Sequence, residues 1–379
     1  MPAPSLELIH AALATVDDPE IRKPITELDM VKSVVVGGDG AAEGHVRVEV
    51  WLTVAGCPMR DEITQRVTAA VSAVTDVSGV TVELDVMSPE QRTALSGRLR
   101  GGQAERDIPF AQPGSLTKVF AIASGKGGVG KSSVTVNLAA AMAQSGLSVG
   151  VVDADIYGHS IPRMLGVDGR PTQVDNMIMP PSAHGVRVIS IGMFTQGNTP
   201  VVWRGPMLHR ALQQFLGDVY WGDVDVLLLD LPPGTGDIAI SIAQLVPTAE
   251  ILVVTTPQAA AAEVAERAGT IALQTHQRIA GVIENMSWLD LPDGSRMELF
   301  GSGGGALVAA ALTRAIGSDV PLLGQIPVDQ ALREQADLGE PLVLSDPQSP
   351  AAVVLRSLAS ALTAKPRGLA GLSLSLTPR

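Results

Sequence analysis

The chain has 379 residues, 46% of them hydrophobic, and a formal net charge of −12. That length and apolar content allow a sizeable core and more than one domain, while the acidic balance argues against nonspecific binding to nucleic acid or an anionic membrane, both of which need a basic footprint. Cys57 is the single cysteine, which excludes an intrachain disulfide and any four-cysteine metal site within one chain.

Residues 4–87 read as a small α+β domain. Leu6 to Val16 has helical spacing and stops near Asp17-Asp18-Pro19. Val31–Val36 and Val46–Val54 read as strands, joined by a loop that starts with Gly37-Gly38-Asp39-Gly40; Asp61–Val74 reads as a helix and Val80–Val86 as a closing strand. Over 88–117 the periodicity fades, and Arg92, Arg98, Arg100, Gly101, Gly102 and Pro113 mark a polar linker, with a surface loop folded on one domain as the alternative.

From 118 to 364 short apolar strands alternate with helical stretches. The strands are Val119–Ser124, Ser148–Asp153, Val186–Ile191, Val224–Leu231, Ile251–Thr256, Ile279–Glu284 and Leu322–Ile326. Several are nearly continuous Val/Leu/Ile runs, as parallel strands buried on both faces require. The alternation predicts an α/β, mainly parallel, doubly wound sheet with ligands at the carboxyl ends of its strands. Residues 365–379 read as a loose tail.

The run Gly125-Lys126-Gly127-Gly128-Val129-Gly130-Lys131-Ser132, with Ser133 after it, follows a predicted strand and opens a helix over Ser132–Gln144, in which Val134, Leu138, Ala141 and Met142 share a face. Glycines let successive N–H groups turn toward phosphate, and the helix N-terminus adds its dipole. In this arrangement Lys131 bridges the β- and γ-phosphates of a triphosphate and the Ser132 hydroxyl faces Mg²⁺. Asp153 and Asp155 end the next strand. Val226-Leu-Leu-Leu-Asp230 has the form of a Walker B strand and runs into Leu231-Pro-Pro-Gly-Thr-Gly-Asp237, a loop suited to following the γ-phosphate.

With Lys126 in that loop, the sequence resembles the deviant P-loop ATPases, which include MinD, ParA and the nitrogenase iron protein. Within them Asp153-Ala-Asp155-Ile-Tyr-Gly158, Trp203-Arg-Gly-Pro206, the Asp230–Asp237 segment and Glu284-Asn-Met-Ser287 are similar to the Mrp/ApbC iron–sulfur carrier proteins. The first domain, through Leu52-Thr-Val-Ala-Gly-Cys-Pro-Met59, resembles PaaD/SufT-type iron–sulfur biogenesis modules. The resemblance implies an ATP-hydrolysing homodimer that assembles clusters or transfers them to apoproteins, working with assembly factors. It implies that Lys126 reaches the partner's nucleotide, that Asp155 orients the attacking water, that Asp153 and Asp230 hold Mg²⁺ through waters, and that Asn285, Pro327 and Asp329 meet adenine.

Many members carry a Cys-x-x-Cys pair shortly after the Glu-Asn-Met-Ser segment; here Trp288–Phe300 has no cysteine. Thiolates are the usual cluster ligands, so the usual cluster site is absent. Cys57 is the remaining candidate iron–sulfur ligand, near a helix start that favours a thiolate; a partly buried cysteine with no ligand is the equal alternative. A MinD/ParA-like positioning ATPase and a cluster-free nucleotide-dependent adaptor are the competing functions. The six histidines lie scattered, and Gly301–Gly305 reads as a flexible connector. No long apolar run or leader pattern occurs, so a cytoplasmic protein without membrane or nucleic-acid partners is expected.

Overall fold

The computed structural model describes residues 4–37, 44–53, 59–99, 108–112, 114–155, 158–175, 177–194, 205–234, 237–258, 272–273, 275 and 277–364. Residue contacts divide the chain into a small unit (1–105, 171–180 and 218–222) and a large unit holding the rest.

The chain begins with α1 (Leu6–Leu13), β1 (Val31–Val36), β2 (His45–Leu52), α2 (Arg60–Ser72), β3 (Gly79–Val86) and α3 (Pro89–Leu99). β1 and β2 pair antiparallel, whereas β2 and β3 pair parallel through the α2 crossover. In β2, Val46, Val48, Val50 and Leu52 are buried while the residues between them are more open, the period of two expected for a half-buried strand. Ile63, Val67 and Val71 recur at helical spacing and give α2 its buried stripe. The sequence reads 88–117 as a linker, but residues 89–99 are helical and Leu95 is fully buried. One buried apolar residue in a polar helix leaves little periodic signal.

The large unit continues with β4 (Lys118–Ala123), α4 (Lys131–Gln144), β5 (Val149–Asp153) and α5 (Ile161–Met164). The short strands β6 (Thr172–Val174) and β7 (Met177–Met179) follow and belong to the small unit. Then come β8 (Ser182–Ala183), β9 (Val186–Ser190), α6 (Gly205–Gly217), β10 (Val226–Asp230), α7 (Asp237–Leu245), β11 (Glu250–Thr255) and β12 (Ile279–Asn285). The chain ends with β13 (Leu289–Asp290), β14 (Arg296–Met297), α8 (Gly304–Ile316), β15 (Leu322–Ile326), α9 (Gln330–Leu338), α10 (Leu342–Ser345) and α11 (Pro350–Thr363).

Eight strands form one sheet in the order β15-β12-β11-β4-β10-β5-β9-β8, parallel except for the β8–β9 edge. β5, β9 and β10 are buried at every residue, which explains the Val/Leu stretches of β5 and β10; β9 buries Arg187 and Ser190 among its apolar residues. From β4 the chain passes to β5, β10 later fills the place between them, and the next connection crosses from β10 to β11 on the far side of β4. The strand order therefore diverges about β4, where a doubly wound sheet opens a crevice at its carboxyl end. α4 is buried on more than the one face its sequence spacing suggests: Val136, Ala139 and Ala140 are inside as well. It packs on the sheet beside α11, whose Leu355, Leu358 and Ala359 lie in the same core cluster.

Candidate functional site

The loop from Ser124 to Gly130 leaves the central strand and opens α4. Gly128 and Gly130 have φ of 78° and 79°, left-handed values that glycine adopts without strain. A Cβ on Gly130 would also run into Asn285 Nδ2. The loop is held to the Walker B side by Gly234 N–H donating to the Ser124 carbonyl at 2.8 Å.

The first helical residues converge on Asp230. Lys131 Nζ lies 2.7 Å from Asp230 Oδ2 in a pair whose side chains are 6% and 0% exposed. Ser132 Oγ donates to the same oxygen at 2.6 Å, and Thr135 Oγ1 lies 2.7 Å from Oδ1. Thr135 was not singled out by the sequence motif, although its i+4 spacing from Lys131 puts it on the same helix face. Register sets Asp153 beside Asp230 on adjacent strands. Asp153 Oδ2 accepts from Ser190 Oγ at 3.1 Å and from Ile161 N–H at 3.3 Å, and its Oδ1 accepts from Asp155 N–H at 3.2 Å. Burial, reinforced by the Asp230 charge, pushes the Asp153 carboxyl up to about 7. Asp155 is 9% exposed and accepts the Gly158 N–H at 3.1 Å.

Ser132, Asp153 and Asp230 offer oxygen donors only. Two carboxylates and a hydroxyl suit Mg²⁺, which keeps several waters and shares its shell with substrate phosphates.

On the other side of the loop, a cavity of about 770 Å³ is lined by Gly130, Ser133, Asn285, Pro327, Asp329 and Met164 among others. The structure thus puts Asn285, Pro327 and Asp329, which the resemblance groups together, in one cavity with Ser133 of the phosphate loop. Asn285 Nδ2 donates to the Val129 carbonyl at 2.9 Å, and its Oδ1 is buried without a partner. Asp329 caps α9 by accepting the Ala331 N–H at 2.9 Å. Glu284, next to Asn285, is 1% exposed; it accepts Gly305 N–H at 2.5 Å and Gln325 Nε2 at 2.8 Å. Gly303 therefore caps α8, and Gly304 and Gly305 begin it, so the segment expected to be a flexible connector is an ordered helix start. A Cβ on Gly304 would meet the Thr256 and Pro257 backbone at 2.5 and 2.6 Å.

Lys126 Nζ donates to Gln258 Oε1 at 2.5 Å, a partner without a sequence signature. Trp288–Phe300 closes through the β13–β14 pair; the Arg296 guanidinium lies 4.1 Å from the Trp288 ring centre and its Nε lies 3.2 Å from Asp290. Cys57, Trp203 and the tail from 365 lie outside the described residues. Among the described residues, no group of three or more His, Cys, Asp or Glu side chains is placed to hold a metal ion.

The small unit has its own acidic turn. Asp18 Oδ1 accepts the N–H groups of Glu20 and Ile21 at 3.0 and 2.8 Å. Glu20 lies within 3.3 Å of Thr172 Oγ1. Burial first, and the Asp18 charge second, push the Glu20 carboxyl up to about 7.

A family model described as NUBPL iron-transfer P-loop NTPase matches residues 115–363, and one described as iron–sulfur cluster assembly protein matches residues 6–84. The chain is 68% identical over 370 residues to a Mycobacterium tuberculosis protein named iron–sulfur cluster carrier protein, covering 98% of this chain and 96% of that one. A Synechocystis protein of the same name is 39% identical over 368 residues, covering 95% and 97%. Among solved structures, a nucleotide-binding protein from Archaeoglobus fulgidus in complex with ADP is 35% identical with a TM-score of 0.51, covering 62% of this chain and 89% of that one.

Proposed function

The chain belongs to the iron-transfer P-loop NTPase family, and we propose that it binds and hydrolyses ATP as a homodimer and uses that cycle to assemble iron–sulfur clusters or hand them to apoproteins. The observation that carries the nucleotide reading is the convergence of Lys131, Ser132 and Thr135 on Asp230 beneath a glycine loop. Lys131 pairs with Asp230; the β- and γ-phosphates of a bound nucleotide would take the ammonium over, and Ser132 and Asp230 would hold Mg²⁺ with Asp153. The ion, when bound, neutralises charge on the phosphate oxygens. Asp155 orients the water that attacks the γ-phosphorus as the bond to the ADP oxygen breaks. Lys126 exchanges Gln258 for the nucleotide of the partner subunit and balances the charge that develops there, as an arginine finger does.

The adenine base sits in the Asn285–Pro327–Asp329 cavity. Cluster cargo is supported by the family and by the match of residues 6–84 to assembly proteins. With no thiol in Trp288–Phe300, Cys57 is the ligand this chain has to offer. No helix among the described residues is long and apolar enough to cross a membrane.

Purified protein is expected to hydrolyse Mg-ATP slowly, and Lys131→Ala or Asp155→Ala to abolish turnover; failure of the wild type to bind ATP refutes the reading. Anaerobic reconstitution with iron and sulfide, comparing wild type with Cys57→Ser, tests the cargo. Stoichiometric cluster absorbance lost in the variant supports Cys57, and no cluster in either protein favours a cluster-free ATPase.

A further inference from the structure

Residues 171–180 and 218–222 lie in the sequence between elements of the large unit, yet they are part of the small one. Val174, Met177, Met179 and Tyr220 share a buried cluster with Ile9, Leu13, Ile63 and Val67, and none of the four is more than 7% exposed. Ile178 N–H donates to the Asp218 carbonyl and Tyr220 N–H to the Ile178 carbonyl, both at 2.8 Å. The β6–β7 hairpin begins at Thr172, which meets Glu20 in the acidic turn.

Both chain segments that carry this hairpin start from one atom. Ile161, the first residue of α5 on the way in, donates its N–H to Asp153 Oδ2. Ser190, the last residue of β9 on the way out, donates its hydroxyl to the same oxygen. Residues 218–222 run on into β10, which ends at Asp230.

We propose that the small unit reads nucleotide occupancy through this hairpin. When Asp153 turns toward bound Mg-ATP, Ile161 and Ser190 lose or re-aim their hydrogen bonds to its carboxylate. The hairpin joined to both carries the shift to the Thr172–Glu20 contact and to the core around Met177. Close-packed interiors pass on such displacements because they hold little free volume to absorb them. The coupling is reciprocal: cargo that alters the small unit changes ATP affinity by the same factor. The inference rests on the nucleotide reading above and adds a route from that site to the first domain.

Hydrogen–deuterium exchange on the full chain, with and without Mg-ATP, tests it. Peptides over 125–135 report nucleotide binding, and peptides over 45–52 and 79–86 report the small unit. Mg-ATP is expected to slow exchange in the first and to change it by about threefold or more in the others. Inserting two glycines after Arg170 and two after Pro180 is expected to keep P-loop protection and abolish the response of the small unit. Should that variant unfold, Ser190→Ala, which cuts one of the two ties, is expected to weaken the response. P-loop protection without any change in the small unit overturns the inference, as does a full response in the glycine-extended or Ser190→Ala protein. Absence of P-loop protection in the wild type overturns the nucleotide reading itself.

Discussion

Asn285 spends its amide donor on the Val129 carbonyl, 2.9 Å away, and keeps a buried acceptor oxygen with no partner. The bond to the P-loop sets which way the amide faces and leaves its oxygen as the buried acceptor still to be satisfied. A buried unsatisfied acceptor costs about 1–3 kcal/mol, which a ligand with a donor at that point recovers. The adenine amino group provides one; guanine presents a carbonyl oxygen there instead. Titration calorimetry is therefore expected to find ATP bound about 10- to 100-fold more tightly than GTP. Asn285→Ala should lower ATP affinity and narrow that ratio. Equal binding of the two nucleotides by the wild type contradicts the assignment.

Lys131 and Asp230 make a buried ion pair, and removing one partner of such a pair strands the other. Lys131→Ala is expected to destabilise the nucleotide-free protein by about 3–5 kcal/mol, with hydroxyls of Ser132 and Thr135 left to stabilise the carboxylate. The double variant Lys131→Ala/Asp230→Asn should regain part of that stability and none of the hydrolysis. Denaturant melts beside phosphate-release assays separate the two effects. Additive losses in the melts would show that the pair is not coupled as described.

The parts of this arrangement that were legible in the sequence are those written in local pattern. Leu322–Ile326 and Val31–Val36 match their predicted bounds, and the other strands read from the sequence shift by one or two residues; in β5 and β10 burial on both faces leaves Val/Leu stretches with clear ends. The phosphate loop, Asp153 and Asp230 were legible because glycines and strand-end carboxylates sit at set spacings. Contacts across long sequence separations left no such mark. Gln258 meets Lys126 across 132 residues, and Glu284 reaches Gly305 from a neighbouring strand. β6 and β7 have three residues each, too few for a period to emerge. Their membership in the small unit is a tertiary fact.

That membership has a measurable cost when broken. A fragment comprising residues 1–105 lacks Val174, Met177, Met179 and Tyr220, and so leaves an open flank on the cluster around Ile9 and Ile63. It is expected to unfold without a sharp cooperative transition and to bind a hydrophobic dye. In the intact chain Met177, 2% exposed, gives the finer test: Met177→Ala should destabilise the small unit by about 2–5 kcal/mol. Exchange rates in β2 and β3 report it. A fragment as stable as the small unit of the full chain would show that the hairpin adds nothing to this core.

Glu20 sets a pH dependence whose sign follows from its raised pKa. Its carboxyl titrates at about 7 in the folded chain against an ordinary 4.5, because burial and the Asp18 charge disfavour the ionised form more than Thr172 favours it. The folded state thus holds this proton more tightly than the unfolded state. Below the ordinary value both states are protonated and folding bears no penalty. As pH rises toward 7 the unfolded chain ionises first and stability falls; above that the loss is complete, on the order of 3 kcal/mol. Glu20→Gln cannot ionise, so it should raise the stability of the small unit at about pH 8 and change it little at about pH 4. Comparing variant with wild type at each pH cancels the titration of distant carboxyls such as Asp153. Exchange-derived stabilities of β2 at the two pH values measure the difference, and an equal increment at both would mean that Glu20 is not held near neutrality by its surroundings.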